Sequence, residues 1–167
     1  MSGRVVQVSI SAGGVPKRAV PSARVTVDGL EGDAHRDREH HGGPERAVCL
    51  YALELIEALS GEGHPVTPGA LGENLTVAGL DWSALVPDAC LGVGDVVLQI
   101  TRYTSPCLNI TTSFAGGDYS RISQKRRPGW SRVYACVLVP GEIAACDPVA
   151  RLSPAEVARH LAVGLGG

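Results

Sequence analysis

Cys107 is the side chain whose type and position best suit chemistry. It follows Ser105 and Pro106 and lies just beyond the apolar run at 96–100, so it comes after the end of a predicted strand. A thiol outside the core can ionise to the thiolate, which is the form that attacks electrophiles and binds metals. Soft thiolate ligands suit molybdenum, copper or zinc. The residues alone leave open the alternative that Cys107 is half-buried and packs as a small hydrophobe.

A polar loop at residues 28–45 contains three of the five histidines, His35, His40 and His41, followed by Gly42 and Gly43. A loop of this length inside one domain is usually functional or disordered. Paired glycines let backbone N–H groups come close to an anionic ligand, which indicates a binding turn. The histidines lack the spacing of a helical zinc site, and the other interpretation of the loop is a solvated polar segment.

A basic segment at residues 124–132 could bind an anion. It holds Lys125, Arg126, Arg127 and Arg132, whereas the whole chain carries a formal net charge of −2. A slightly acidic chain has no global field that recruits nucleic acid, so any anion site must be local. Guanidinium groups can grip a phosphate with two hydrogen bonds, and a solvated basic turn is the alternative.

The cysteines indicate a reduced intracellular protein. Their number, five, is odd, and no two are spaced C-x-x-C, so neither a disulfide framework nor a zinc knuckle is predicted. Cys49 and Cys136 lie in predicted strands, where we expect core positions. The N-terminus lacks a long apolar segment, and no stretch approaches about 20 apolar residues. We therefore expect a cytoplasmic protein with no membrane or nucleic-acid partner.

Many short apolar runs separated by glycine and proline predict a mainly β fold. We expect a closed or partly open β-barrel with a few short peripheral helices, and an α+β sandwich is the alternative. The chain forms a single predicted domain, 1–167, with its core at 4–150. Ser153 and Glu156 make a capping box that begins a C-terminal helix at 153–163. The predicted elements are strands at 4–10, 19–27, 46–51, 96–103, 131–139 and 143–146, a helix at 52–59, and a turn at 92–95.

Six motifs in a fixed order resemble the MOSC family, named for the C-terminal domain of molybdenum cofactor sulfurase. The resemblance covers roughly residues 4–150 and is closest to small standalone bacterial members. It implies a β-barrel that binds molybdenum cofactor. The motifs are Gly32-Asp33, His41-Gly42-Gly43-Pro44-Glu45-Arg46-Ala47-Val48, Pro68-Gly69-x-Leu71-Gly72-Glu73-Asn74-Leu75, Gly94-Asp95, Ser105-Pro106-Cys107, and Gly129-Trp130-Ser131-Arg132-Val133 with Pro140-Gly141.

The resemblance also implies roles for particular residues. Cys107 matches the cysteine that ligates molybdenum and is the expected catalytic residue. The chain departs from many relatives at Thr104, where they carry an arginine, and Arg102 is a possible source of the missing anion contact. The expected cofactor pocket comprises His41, Gly42, Gly43, Arg46, Gly72, Glu73 and Asn74, with Arg126, Arg127 and Arg132 expected to hold the cofactor's phosphate.

Three functions follow as expectations. The first is a molybdenum-dependent oxidoreductase that reduces N-oxygenated, in particular N-hydroxylated, small molecules and takes electrons from a separate donor protein. The second is a non-catalytic carrier of sulfur, as a Cys107 persulfide, or of molybdenum cofactor. The third is a zinc hydrolase using the histidine loop and Cys107. Other family members are fused to a pyridoxal-phosphate-dependent sulfurase, but neither Lys17 nor Lys125 has a suitable glycine-rich context, so we expect no pyridoxal phosphate here.

Overall fold

A closed barrel of seven strands forms the centre of the structure, a computed structural model that describes residues 2–34 and 43–165. The strands are β1 (Ser2–Ile10), β2 (Arg18–Val20), β3 (Ser22–Thr26), β4 (Gly29–Leu30), β5 (Val48–Ala52), β6 (Leu75–Ala78), β7 (Cys90–Val93), β8 (Val96–Tyr103), β9 (Val133–Val139), β10 (Gly141–Ala144) and β11 (Pro148–Leu152). The α-helices are α1 (Leu53–Gly61) and α2 (Pro154–Leu165), and 3₁₀ helices cover Pro44–Arg46, Trp82–Ala84, Leu108–Ser113, Ala115–Gly117 and Tyr119–Ile122.

Strand pairing runs β1–β6–β5–β9–β8–β7–β11 and returns to β1. The closing pair places Gly3 of β1 opposite Val149 of β11. Every pairing in this ring is antiparallel except β5–β6. β2 pairs with the far end of β1, and a separate sheet has the order β10-β3-β4. The predicted mainly β fold with a closed barrel is therefore confirmed.

β5 separates two hydrophobic clusters because its successive side chains point to opposite faces. Val48 and Leu50 belong to the barrel core, whereas Tyr51 belongs to a second cluster outside the barrel. Valine, leucine, isoleucine and alanine fill the barrel, as the low aromatic content of the sequence predicts. The second cluster joins α1 to the 3₁₀ segment of residues 108–122 and includes Leu59, Leu71, Ile110, Phe114 and Ile122.

Several predicted elements differ from the structure. The strand predicted at 19–27 is divided at Pro21 into β2 and β3, since proline has no N–H for a ladder bond. The turn predicted at 92–95 is shorter, because β7 continues to Val93 and pairs with β8. The sequence did not predict β11, because its five residues show only a weak alternation of apolar and polar side chains. The strand predicted at 46–51 begins only at Val48, after a 3₁₀ turn.

Other elements agree with their predictions. β8 has the predicted bounds, 96–103. The C-terminal helix begins with the expected reciprocal cap, since the Ser153 backbone N–H donates to Glu156 Oε1 at 3.1 Å and the Glu156 N–H donates to Ser153 Oγ at 3.2 Å. Within the described residues, neither α-helix has the length and apolar content needed to cross a bilayer.

Candidate functional site

Cys107 lies half-buried at the edge of a cleft of about 700 Å³, which we call the Cys107 cleft. Leu108, the next residue, is 77% exposed at the cleft rim. The thiol is thus neither enclosed by the core nor remote from a cavity, as the sequence predicts. The cleft is lined by Arg46, Arg102, Tyr103, Ser105, Pro106, Cys107, Leu108, Asn109, Tyr119 and Tyr134.

The end of β8 positions Cys107. The Thr104 N–H donates to the Arg132 carbonyl at 3.0 Å, and the Ser131 hydroxyl donates to the Thr104 carbonyl at 3.1 Å. These bonds extend the pairing of β8 to residue 104, where the backbone is held against Ser131 and Arg132, the two residues before β9. Pro106 then ends the strand geometry, because it has no N–H to donate. Cys107 begins the 3₁₀ helix Leu108–Ser113, and its carbonyl accepts the Ile110 N–H at 3.2 Å.

Two guanidinium groups face the same cleft. Arg46 ends the 3₁₀ turn Pro44–Arg46, which begins after Gly43, a glycine with a positive φ of 95°. Arg102 lies on β8, and its Nη2 donates to Glu45 Oε2 at 2.8 Å. This ion pair ties the 3₁₀ turn to β8 and so holds the two arginines at one side of the cleft. Both can attract an anionic ligand there.

Tyr134 connects the cleft with the interior. In the ladder it lies opposite Cys49 of β5 and Arg102 of β8, so the three side chains share one face of the sheet. Burial and the neighbouring Cys49 raise the pKa of Tyr134, against the lowering effects of Arg132 and Arg46. The phenol therefore stays protonated near neutral pH and acts as a hydrogen-bonding group.

Glu73 and Asn74, expected in the pocket, lie in the interior and outside the Cys107 cleft lining. The Asn74 side chain accepts the Cys49 N–H at 3.0 Å and donates to the Ser9 carbonyl at 3.2 Å and to Asp33 Oδ2 at 2.9 Å. It thus ties β5 to β1. Gly72 has a positive φ of 83°, and an added Cβ would lie 3.0 Å from Val15 Cγ1, so the turn requires glycine.

Burial raises the pKa of Glu73 to about 7. Neighbouring groups lower this pKa, because they favour the carboxylate, among them the backbone N–H of Glu73 itself, the Gly69 N–H and the Arg132 guanidinium. Oε1 has no hydrogen-bond partner, whereas Oε2 accepts a long bond of 3.4 Å from the Thr76 hydroxyl. Glu73 is therefore a buried group that can change charge in the physiological range.

The three arginines expected to hold the cofactor's phosphate occupy different surroundings. Arg132 is 6% exposed, and its Nη1 donates to the Leu71 carbonyl at 2.6 Å. Arg126 and Arg127 are exposed in the turn before Trp130. The Arg132 guanidinium is thus buried and bonded to a carbonyl, whereas Arg126 and Arg127 are solvated, and their common role in holding a phosphate stays a prediction.

A second cleft, of about 790 Å³, lies on the other side of the Ser105–Pro106 segment, and we call it the Arg126 cleft. The two clefts share Tyr103, Ser105, Pro106 and Tyr119, so they are contiguous. The remaining lining residues of the Arg126 cleft are Thr104, Asp118, Ser120, Ser123, Gln124, Lys125 and Arg126.

The histidine loop falls largely outside the described residues. His35, His40, His41 and Gly42 are in the part of the chain that the structure leaves undescribed, so their predicted roles stay predictions. In the described ranges, no three histidine, cysteine, aspartate or glutamate side chains are grouped so that they could hold a metal ion.

Sequence reasoning did not identify the tyrosines and Asn109 as cleft residues. Tyr103, Tyr119 and Tyr134 come from three different elements. Only the pairing register of β9 with β5 and β8 brings Tyr134 beside Arg102, and register is set by long-range packing. Asn109 could have been inferred from its place two residues after Cys107.

The two cysteines predicted in strands differ in burial. Cys49 is buried as expected, whereas Cys136 is only half-buried.

Comparison with known proteins places this architecture in a family. The profile of the MOSC domain matches residues 37–150. The uncharacterized protein YflK of Bacillus subtilis is 32% identical over 135 residues, which cover 78% of this chain and 59% of that protein. Protein YiiM of Escherichia coli is 30% identical over 147 residues, which cover 83% of this chain and 64% of that protein. The chain thus spans about three fifths of the length of these relatives.

A solved structure agrees with the same assignment. The crystal structure of YiiM from Escherichia coli superimposes with a TM-score of 0.67 and 28% sequence identity. The superposition covers 92% of this chain and 70% of that one. The shared fold therefore extends beyond residues 37–150, the part of the chain that the family profile matches.

Proposed function

We propose that this chain, which belongs to the MOSC domain family, binds molybdenum cofactor with Cys107 as a metal ligand and reduces N-oxygenated small molecules. The observation that carries the proposal is the position of the thiol. Cys107 stands at the edge of a cleft that also presents the guanidinium groups of Arg46 and Arg102. A soft sulfur ligand beside two guanidinium groups suits a metal cofactor that bears an anionic group.

The residues present fit the cofactor in type. A volume of about 700 Å³ lies within the range of roughly 300–1,000 Å³ that small-molecule sites occupy. Cys107 would lose its proton on binding the metal, because only the thiolate is a ligand. Arg46 and Arg102 would hold the anionic group, and Arg102 would take the place of the arginine that relatives carry at the position of Thr104.

The chain's own residues would orient the substrate for a two-electron reduction. The net reaction is R–NHOH + 2e⁻ + 2H⁺ → R–NH₂ + H₂O. When bound, the cofactor would supply the two-electron redox chemistry that reduces the N–O bond. Tyr134 and Asn109 would offer hydrogen bonds to the substrate, and Leu108 would contribute an apolar edge. The electrons must come from a separate donor protein, because the sequence carries no haem, flavin or iron–sulfur motif.

A carrier function uses the same thiol without turnover. In that role Cys107 would hold a persulfide sulfur, or the cleft would hold cofactor for delivery to another protein. The half-buried position of Cys107 gives a partner access to the sulfur in either role. Turnover is therefore the property that separates the two functions.

The test is reduction of a model substrate by protein loaded with molybdenum cofactor. Benzamidoxime would be supplied with an excess of a chemically reduced viologen dye, which replaces the donor protein, and benzamidine formation would be followed by chromatography. The enzyme hypothesis predicts many turnovers per bound molybdenum. A loaded protein that forms no more product than one equivalent would support the carrier function instead. Cofactor-free protein with the same dye is the control.

A further inference from the structure

The mouth of the Cys107 cleft is the place where electrons would have to enter. The proposed function requires a separate donor protein, and the rate of electron transfer falls steeply with the distance between the two redox centres. Cys107 is half-buried at the edge of the cleft. A donor must therefore dock over this edge, and the side chains exposed around it decide which kind of protein fits.

A turn with three consecutive cations borders this mouth. Lys125, Arg126 and Arg127 are all exposed. Lys125 and Arg126 line the Arg126 cleft, which is contiguous with the Cys107 cleft along the Ser105–Pro106 segment. The three cations thus lie on the side of the molecule at which Cys107 is accessible, where they can attract an acidic partner.

Hydrogen bonds fix the shape of the turn. The Arg126 and Arg127 N–H groups both donate to the Ser123 carbonyl, at 3.2 and 2.7 Å. The Gly129 N–H donates to Gln124 Oε1 at 3.1 Å. The turn therefore presents its cations from an ordered backbone, which reduces the entropy lost when a partner binds.

The carboxylates described at the mouth are already bonded within the chain. Glu45 Oε2 accepts Arg102 Nη2 at 2.8 Å, so these two charges oppose each other. Asp118 Oδ1 accepts the Ser120 N–H at 3.1 Å and the Ser120 hydroxyl at 2.6 Å. The three cations of the turn outnumber the single charge of Asp118. This positive surplus is local, because the whole chain has a formal net charge of −2.

An apolar side chain stands beside these charges. Leu108 follows Cys107 and is 77% exposed at the cleft mouth. Its carbonyl accepts the Thr111 hydroxyl at 2.6 Å, and Ile110 of the same 3₁₀ helix is buried in the second hydrophobic cluster. The helix is thus anchored while Leu108 points outward. An apolar contact bordered by charges is the usual composition of a protein–protein interface.

We propose that a small acidic electron-donor protein docks on the surface formed by Leu108 and Lys125–Arg127, which we call the donor face. This inference rests on the proposed function and adds the chemistry of the partner. Two reduced donor molecules bind in turn, and each gives up one electron. Both are oxidised while R–NHOH is reduced to R–NH₂, and two protons leave with the oxygen as water.

The first test is binding, which requires neither cofactor nor turnover. The probe is a reduced plant-type [2Fe–2S] ferredoxin, an acidic protein with a paramagnetic cluster, added to ¹⁵N-labelled cofactor-free protein at low ionic strength. We expect it to broaden the backbone amide signals of Leu108, Asn109 and Lys125. Cytochrome c, a basic redox protein of similar size, should leave them unchanged. No broadening, broadening elsewhere on the surface, or an equal response to cytochrome c would overturn the proposal.

A charge reversal tests the donor face itself. Lys125→Glu should weaken ferredoxin binding by about fivefold at low salt, as expected for an exposed charge at an interface rim. Arg159→Glu makes the same change in net charge at an exposed position of α2 and should have a much smaller effect. The difference between the two variants should shrink at high salt, because exposed charges are screened. Equal binding by both variants at low salt would reject the donor face.

Turnover in loaded protein gives an independent measurement. Benzamidoxime reduction would be driven once by ferredoxin and once by the viologen dye, and the ratio of the two rates cancels any effect of a substitution on bound cofactor. We expect Lys125→Glu to lower this ratio by about fivefold and Arg159→Glu to retain it. An unchanged ratio in Lys125→Glu would contradict docking at the turn.

Further outcomes separate failure of this inference from failure of the proposed function. If neither donor supports turnover but ferredoxin still broadens Leu108 and Lys125, the docking surface stands and the reductase function fails. If the dye drives turnover and ferredoxin does not bind at the donor face, the reductase function stands and the inference is rejected. Duplex DNA that binds this surface more tightly than ferredoxin would assign it to nucleic acid and also overturn the inference.

Discussion

Single cysteines in this chain differ sharply in their surroundings. Cys107 is half-buried at a cleft, and Cys146 is exposed in the turn before β11. Cys49 is buried in β5, and burial together with the nearby Glu73 raises the pKa of its thiol to about 11, in spite of the opposing effect of Arg132. Only the thiolate reacts rapidly with alkylating agents. Position in the fold therefore decides which thiols can do chemistry.

We predict that Cys107 and Cys146 react with iodoacetamide at pH 8 long before Cys49. Burial also raises the pKa of Cys90 and Cys136, so these two should react at intermediate rates. Mass spectrometry of peptides after short labelling gives the rate at each site, and labelling in urea is the control for intrinsic reactivity. Alkylation of Cys49 as fast as Cys107 would contradict the burial of β5.

Asn74 is a residue whose position the sequence motif predicts but whose contacts only the structure reveals. Its side chain bonds to Cys49, Ser9 and Asp33. Replacing it by alanine leaves the buried Cys49 N–H without its acceptor. We expect Asn74→Ala to lower the free energy of unfolding by about 2–4 kcal/mol. Asn109→Ala, at an exposed position in the Cys107 cleft, should change it by less than about 0.5 kcal/mol. Urea denaturation measures both, and equal effects would contradict the assigned roles.

At the scale of elements, the loop of residues 68–74 is fixed around a buried carboxyl. The pKa of Glu73 is about 7 in the folded protein and near the ordinary glutamate value of 4.5 in the unfolded chain. The folded state therefore binds the proton more tightly. The resulting stabilisation is fully present below pH 4.5 and is lost as pH rises through 7.

We predict that the free energy of unfolding attributable to Glu73 falls by on the order of 2–3 kcal/mol between pH 5 and pH 8. Glu73→Gln should remove this part of the pH dependence, because the amide does not titrate. Glu57→Gln, an exposed residue of α1, should retain the wild-type profile. Urea denaturation across this pH range gives the comparison, and identical profiles for wild type and Glu73→Gln would refute the assignment.

Elements with strong local signals could be predicted from the sequence. The β-branched run of β8 and the capping box of α2 have the predicted form, since both depend on neighbouring residues. β7 and β11 could not be predicted, because strands of four or five residues carry too few side chains to show a clear local preference. Their pairing with each other, and of β11 with β1, is decided by closure of the barrel.

At the scale of the whole molecule, barrel closure depends on close approach of backbones at Gly3. A Cβ at this position would overlap with the Ala78 carbonyl oxygen, at a separation much shorter than any normal contact. We predict that Gly3→Ala lowers the free energy of unfolding by at least about 2 kcal/mol, because β1 must move away from β6. Gly61→Ala, where a Cβ meets nothing within 4 Å, should be neutral or slightly stabilising. Thermal denaturation of the two variants provides the test, and equal melting temperatures would contradict the tight closure.

The candidate site is assembled by the whole barrel. Arg46, Arg102, Cys107 and Tyr134 are distant in sequence, and each lies at or near the end of a different element. The sequence could single out Cys107, because proline and strand-end position are local features. Strand register brings Arg102 beside Tyr134. Packing next to the second hydrophobic cluster buries Arg132, whereas Arg126 stays exposed. Neither is encoded in local spacing.

The central claim is that Cys107 holds molybdenum, and metal content tests it most directly. Wild type, Cys107→Ser and the control Cys146→Ser would be loaded with molybdenum cofactor, passed through gel filtration and assayed for molybdenum by mass spectrometry. We predict that Cys146→Ser retains the wild-type amount and that Cys107→Ser loses at least about nine tenths of it, with circular dichroism unchanged, because a hydroxyl is a harder and less acidic ligand. Full retention of molybdenum by a folded Cys107→Ser protein would contradict the claim.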